Sequence, residues 1–258
     1  MITVAKWGPI QSGDQGRPCF NGNGESLLKL EPLEPVLVLS SHLDDAVLSC
    51  GHFLYANPLT TVVTVLAGAP DTNHEGYNSK TTGKPYAPDA ISVRRDEDRQ
   101  ALDYLSATPV WLDLLDADYA AYRPSTNYVE VIQGEIARVL NKARPKSVFA
   151  PLGLIHADHL AVSEACIGLA VNSPFTWYLY MDLPYGFADR RLLLRRVATV
   201  RRHVQLVEFN LYGGEPGIKR RAMSLYASQY APTRQSSPKG FDATMRGGER
   251  YWRVETLR

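Results

Sequence analysis

Read by the spacing of its apolar positions, the chain changes character at Pro35. Residues 1–35 carry glycine and proline at short intervals, with apolar density enough for short strands only at Ile2–Trp7 and Ser26–Leu30, and are expected to form an amino-terminal extension. Beyond it, Val36–Ser41 is a short apolar run suited to a buried strand, and Asp45–Ala56 spaces Val47, Leu48, Phe53 and Leu54 along one side of a helix. Thr61–Leu66, β-branched and apolar, reads as the next strand. A polar stretch of about 20 residues follows, longer than an ordinary connection and so a candidate functional loop. Asp89–Leu105 returns to helical spacing, Val110–Leu115 to strand, and Asn127–Lys142 to a helix closed by Pro145. Ser147–Pro151, His156–Val171 and Thr176–Asp182 then read as strand, helix and strand.

The remainder reads as a strand at Leu192–Val200, helices near Arg202–Leu211 and Gly217–Gln229, and a glycine-broken tail. Strand alternating with helix over short links predicts an α/β fold: one domain over residues 36–258, with a Rossmann-like, mostly parallel sheet and helices on both faces.

Composition narrows the function more than the fold. With 45% apolar and 21% charged residues in 258, the chain can bury a core and belongs to neither the disordered nor the fibrous class. Twenty-eight Lys and Arg against 27 Asp and Glu leave +1, too little field to hold nucleic acid. No uncharged apolar stretch approaches about 18 residues, so no membrane span is expected, and Met1–Pro9 has no basic region leading into an apolar core. Cys19, Cys50 and Cys166 are odd in number and lack CxxC spacing, which favours buried thiols in a reducing compartment. A cytoplasmic enzyme acting on a small molecule is the expectation.

Two segments carry the chemistry: His42-Leu43-Asp44-Asp45 and His156-Ala157-Asp158-His159. Each falls just past the carboxyl end of a strand and at the start of a helix, where open parallel sheets bind ligands. Alone, a paired Asp there reads as a helix cap, and a lone His as a satisfied structural residue. Together, two imidazoles and a carboxylate make a three-ligand site for zinc, or for Fe2+, with a position left open for water. Water on such an ion ionises near pH 7, and a second carboxylate that is not a ligand can take its proton. Asp44 and Asp45 suit that division, and the additional histidine of the second motif, held by an Asp, suits an oxyanion. No GxGxxG follows the first strand, which argues against a dinucleotide site.

These motifs resemble HPDDE and HPDH of the PIG-L/LmbE-like family of zinc-dependent N-acetylglucosamine deacetylases. The similarity extends to Arg94 and Glu97 as the family's RxxE helix, to Asp116, to the Trp177–Tyr185 segment, and to Lys219, Tyr226, Ser228 and Gln229 near the carboxyl end. The resemblance implies that His42, Asp45 and His159 bind zinc, that Asp44 is the general base, and that His156 stabilises the oxyanion while Asp158 orients it. It implies substrate contacts for Arg94, Asp116 and Tyr185, and a substrate that is an N-acylated amino sugar. Leu43, Ala46 and Ala157 depart from the family's proline, glutamate and proline. Two other readings stay open: an amidase for a glucosamine-containing thiol or natural-product conjugate, and a non-catalytic metal- or carbohydrate-binding protein. Among secondary features, the arginines between Arg190 and Arg202 read as a solvated surface, Tyr77, Tyr86, Tyr119 and Tyr122 as rings near loops, and His74 and Glu75 as polar loop residues.

Overall fold

Short runs such as Val-Leu-Val-Leu-Ser have no polar side to turn outward, so they form strands covered on both faces. A computed structural model describes residues 34–69, 90–123, 127–171, 173–211, 217–246 and 248–255. The strands expected within the extension, Cys19, and the loop residues His74, Glu75, Tyr77 and Tyr86 lie outside the described residues. In chain order the elements are β1 (Val36–Ser40), α1 (Asp45–Ala56), β2 (Thr61–Thr64), α2 (Ala90–Tyr104), β3 (Thr108–Trp111), a 3-10 segment (Ala117–Tyr122) and α3 (Tyr128–Ala143). They continue with β4 (Ser147–Pro151), α4 (Ala157–Ala170), β5 (Thr176–Tyr180), α5 (Tyr185–Ala188) and α6 (Arg190–Val200). Last come β6 (Gln205–Leu211), α7 (Ile218–Met223), α8 (Ala227–Ser236), α9 (Pro238–Arg246) and β7 (Glu249–Glu255).

The strands form one sheet in the order β3-β2-β1-β4-β5-β7-β6. The first five are parallel, and β7 runs antiparallel between β5 and β6. Pairing of β1 with β4, Leu37 opposite Val148 and Val38 opposite Phe149, marks where the strand order reverses. At that reversal the following loops diverge and leave a crevice beyond the carboxyl ends of the strands.

Alternate residues of β1 serve opposite faces. Leu37 and Leu39 pack with Ile132, Ile136, Val162, Leu193 and Val197, from α3, α4 and α6. Val36 and Val38 pack with Val47, Phe53, Ala101, Ile218 and Phe241, from α1, α2, α7 and α9. Each such side chain fully withdrawn from water contributes about 1.5–3 kcal/mol, so the two-sided core anchors the crevice walls. Among the described residues no helix is long and apolar enough to cross a membrane.

The carboxyl-terminal third departs from expectation. Leu192–Val200, expected as a strand, lies within helix α6: Leu193, Val197 and Val200 are its buried positions, at helical spacing, and the Asp189 carboxylate accepts the N–H groups of Arg191 and Leu192 as its cap. Gln205–Leu211, expected as helix, is strand β6, with Leu206 on one face of the sheet and Val207 and Phe209 on the other. The helix expected over Gly217–Gln229 is two helices, α7 and α8, and the tail forms α9 and β7. Tyr251 and Trp252 of β7 are both fully buried, one on each face.

Helix α1 breaks at Cys50 (φ −130°, ψ 15°). Glu249 of β7 accepts the N–H groups of His52 (2.8 Å) and Phe53 (3.0 Å) beyond the break, and the Tyr251 hydroxyl at 2.7 Å. Lys219 lies 2.6 Å from the same carboxylate, and both side chains are wholly buried. The inner ion pair thus fixes the angle at which the first turn of α1 enters the crevice.

Candidate metal centre

The turn leaving β1 is tied by its own side chains. Ser40 Oγ donates to the His42 carbonyl (2.7 Å) and accepts the Ala46 N–H (3.0 Å), and the His42 N–H donates to Asp45 Oδ2 (2.9 Å). This holds Asp44 at φ 122°, ψ −29°, a conformation that opposes an L side chain. Asp45 begins α1, where the helix dipole favours a carboxylate. Ala46, which stands in place of the family's glutamate, is packed in the core.

The facing wall is the turn leaving β4. Gly153 has φ +86° and donates its N–H to Asp182 Oδ2 (2.8 Å); a Cβ there would come within 2.7 Å of Ser163 Cβ, so the position demands glycine. Arg196 clamps the turn by donating to the Leu152 carbonyl and to Ser163 Oγ. His156 caps α4, its Nδ1 accepting the Asp158 N–H (3.2 Å), and His159 follows in the first turn.

Both walls deliver ligand atoms to one point. His42 Nδ1 is 3.1 Å from Asp45 Oδ2, His159 Nε2 is 3.0 Å from the same oxygen, and the two nitrogens are 3.2 Å apart. A tetrahedral zinc site with arms of about 2.0–2.1 Å has ligand–ligand edges of about 3.3–3.4 Å, so the triangle is one face of such a site to within a few tenths of an ångström. The outer nitrogens agree: His42 Nε2 is 3.0 Å from Asp158 Oδ2, and His159 Nδ1 is 2.8 Å from Asp182 Oδ1. Each imidazole can give its proton to an outer carboxylate and turn a lone pair inward, the usual support of histidine ligands.

Electrostatics point the same way. Burial pushes the His42 imidazole down, but hydrogen bonds to Asp158 and Asp45 outweigh it and raise its pKa to about 9. Burial likewise opposes and the Asp45 and Asp182 carboxylates overcome it at His159, which is raised. Asp45 is held low despite its burial, chiefly by His159. The cluster therefore recruits positive charge, the demand that a divalent ion meets by displacing protons.

Asp44 is different. It is 8% exposed, no hydrogen bond to its carboxylate occurs among the described residues, and burial followed by the Asp45 charge raises its pKa to about 8. His156, with its side chain 41% exposed, is lowered by burial and then by His42 and His159. Its Nδ1 is an acceptor, which places the ring proton on Nε2.

Asp158 was expected to orient His156, yet its Oδ2 lies 3.7 Å from His156 Nδ1 and 3.0 Å from His42 Nε2, where it also accepts the Ala117 N–H (2.7 Å). The backbone N–H of Asp158, not its carboxylate, holds His156. His42, His156 and Asp158 are themselves close enough to share an ion. In that group His156 Nδ1 already accepts the Asp158 N–H, whereas in the His42, Asp45 and His159 set each imidazole has a carboxylate behind it.

The expected substrate contacts border the centre. Arg94 of α2 is 4.0 Å from Asp116, which is buried and raised chiefly for that reason, and the Tyr185 ring meets His159 edge to face at 5.6 Å. Glu97 instead accepts the N–H and hydroxyl of Ser228, and Tyr226 donates to Asp98 at 2.6 Å, so these positions fasten the carboxyl-terminal helices to α2. Tyr119 is buried. Asp182 and Arg123 were not singled out from the sequence. Asp182 stands two residues past β5, and Arg123 just past the 3-10 segment. Asp182 falls inside the Trp177–Tyr185 segment of the resemblance without a role of its own there, and Arg123 lies in no motif.

The family described as GlcNAc-PI de-N-acetylase (PIG-L) matches residues 37–170, slightly more than half the chain. No curated protein matches in sequence. Among solved structures, a triple mutant of a deacetylase of the teicoplanin biosynthetic pathway is similar with a TM-score of 0.67 and 26% identity, over 85% of this chain and 97% of that one. The A40926 pseudoaglycone deacetylase gives 0.66 and 27%, over 86% and 98%. A zinc-inhibited form of teicoplanin deacetylase, 24% identical over 85% and 97%, shares the fold with a TM-score of 0.70.

Proposed function

Because the chain belongs to the PIG-L family of GlcNAc-PI de-N-acetylases, we propose that it is a metal-dependent N-deacetylase, a hydrolase that splits the amide of an N-acylated amino sugar into acetate and the free amine. The observation that carries this reading is the triangle of His42 Nδ1, Asp45 Oδ2 and His159 Nε2, with a carboxylate behind each imidazole. Zinc, or Fe2+ on the same ligands, supplies Lewis-acid polarisation of the carbonyl and acidifies water.

The chain's own groups divide the remaining work. Asp44, whose carboxylate has no hydrogen bond among the described residues and stands beside the proposed ligands, takes the proton of the attacking water and later returns it to the departing amine. His156, neutral and protonated on Nε2, donates to the carbonyl oxygen as negative charge develops there. Asp158 and Asp182 hold the ligand imidazoles in one tautomer. Arg94 and Asp116 offer a donor and an acceptor for sugar hydroxyls, and the Tyr185 ring a face for the sugar. The free, buried thiols of Cys50 and Cys166 fit a cytoplasmic location.

A second form of the reading places the amino sugar on a larger natural-product conjugate. Two neighbours support it, the deacetylases of the teicoplanin pathway and of A40926 pseudoaglycone, each matched over nearly its whole length.

The test measures metal content of the purified chain and acetate release from free N-acetylated amino sugars and from their glycoconjugates. Stoichiometric metal with acetate release is expected, and Asp44→Ala should retain the metal but lose about 10²–10⁴ in kcat. Acetate release undiminished in Asp44→Ala, or zinc bound without hydrolysis of any acylated amine, overturns the assignment, and the latter leaves a binding protein.

A further inference from the structure

We propose that Arg123 is a positioning residue for the metal centre: it pins the Asp158 carboxylate against the outer nitrogen of His42 and thereby sets how firmly His42 presents Nδ1 to a divalent ion. The inference rests on the reading of His42, Asp45 and His159 as ligands.

Asp158 is 1% exposed and each of its oxygens is claimed. Oδ1 accepts from Arg123 Nη2 at 2.6 Å, while Oδ2 accepts the Ala117 N–H at 2.7 Å and faces His42 Nε2 at 3.0 Å. The guanidinium holds Oδ1 in place, since it is itself fixed at three points. Nε donates to the Leu115 carbonyl (3.2 Å), Nη2 holds Asp158, and Cζ lies over the Tyr128 ring, 4.3 Å from its centre; the Tyr128 hydroxyl donates to the same Leu115 carbonyl (2.8 Å).

Without Arg123, Oδ1 is left buried without its cation, and the carboxylate gains by turning toward water. His42 then loses the acceptor that keeps its proton on Nε2, and a share of rings turns the wrong nitrogen inward. Lysine can replace the charge but not the fork, because one ammonium cannot donate to Leu115, hold Asp158 and cover the Tyr128 ring together. The arginine also joins the ligand His42 to the segment that carries Asp116, so both sides of the crevice keep one register.

The experiment is zinc affinity of the full chain, stripped of metal and titrated against a chromophoric chelator. It compares wild type, Arg123→Ala, Arg123→Gln, Arg123→Lys, Asp158→Asn and the Arg123→Ala/Asp158→Asn pair, with folding checked by circular dichroism. Arg123→Ala and Arg123→Gln should bind zinc about 10–100-fold more weakly and Arg123→Lys in between. The double variant should bind no worse than Asp158→Asn, because Arg123 acts through that carboxylate. Affinity within about two-fold of wild type in folded Arg123→Ala and Arg123→Gln, or losses that multiply in the double variant, overturns the inference and leaves the ligand assignment standing. A wild-type chain that binds no divalent ion overturns both.

Discussion

Asp44 combines two costs at one residue, which makes its replacement by glycine informative. Its backbone is held at φ 122°, ψ −29°, and its carboxylate is buried beside Asp45 without a hydrogen bond among the described residues. Strain of that kind costs on the order of 1–3 kcal/mol, and glycine, which has no Cβ, escapes it. Against this, a glycine gives the unfolded chain about 0.5–1 kcal/mol of additional freedom. Asp44→Ala removes the same carboxylate but keeps the strained Cβ, so the difference between the two variants isolates the backbone. Asp44→Gly should exceed Asp44→Ala by about 1–2 kcal/mol, a rise in Tm of roughly 2–8 °C for a chain of this size. Thermal melts followed by circular dichroism, on metal-loaded and chelator-treated protein, read the difference. Both variants should keep zinc within a few-fold of wild type, since Asp44 is not among the ligands, and both should lose about 10²–10⁴ in kcat. An Asp44→Gly protein no more stable than Asp44→Ala would refute the strain argument. Acetate release at the wild-type rate would refute the assigned base.

His159→Ala and Asp45→Asn each remove a ligand and should leave the chain without metal after dialysis, measured by elemental analysis of the protein peak. Asp182→Asn spares the ligands but weakens the support behind His159, so zinc affinity should fall about 10–100-fold in the same chelator competition, with the fold retained. Glu249→Gln leaves Lys219 buried without its counter-ion and should cost about 3–5 kcal/mol, or roughly 6–20 °C in Tm. The pH dependence has a definite sign. Burial pushes Glu249 up, but Lys219 and then His52 pull it below its ordinary 4.5, so its contribution is present above that pH and is lost as pH falls through the lowered folded value. Urea unfolding between pH 3 and 7 should therefore show a shallower acid limb in Glu249→Gln than in wild type, and an equally steep limb would contradict the pairing.

Where local pattern and tertiary role coincide, the sequence was sufficient. Val36–Ser40 and Ser147–Pro151 are buried on both faces, and α1 and β4 match their expected bounds because Ser40, Asp45 and Pro145 punctuate them. The exchange of helix and strand between Leu192 and Leu211 has a specific origin. Leu-Leu-Leu followed by valines satisfies a strand's composition and a helix's spacing equally, and only the Asp189 cap decides it. Among the described residues β6 has a single neighbour, so its half-buried alternation is weak, and what makes it a strand is pairing with β7 over seven residues, from Gln205 opposite Glu255 to Leu211 opposite Glu249. β7 itself follows glycine-rich sequence and takes its place from Tyr251 and Trp252 filling both faces of the core.

The site divides along the same line. The proposed ligands belong to compact motifs because one turn must deliver His42 and Asp45 together and another must deliver His159, so a few consecutive residues carry the information. Their supports do so only in part: Asp158 lies inside the second motif, but Asp182 lies in neither, because a carboxylate behind an imidazole can arrive from any neighbouring strand or loop. Topology nevertheless limits the choice. β4 carries His159 into the crevice just beyond its end, and β5 is the next parallel strand, in register from Ser147 opposite Thr176 to Pro151 opposite Tyr180. A carboxylate two residues past Tyr180 therefore lies level with the turn that follows Pro151, where Asp182 accepts from both Gly153 and His159. On the other flank β1 is followed by β2 and β3, and the chain after β3 supplies Ala117 and Arg123 to the Asp158 that backs His42. Strand order fixes which segments can stand behind each ligand, so an acid or an arginine just past the carboxyl end of a flanking strand gains a meaning that its isolated letter lacks.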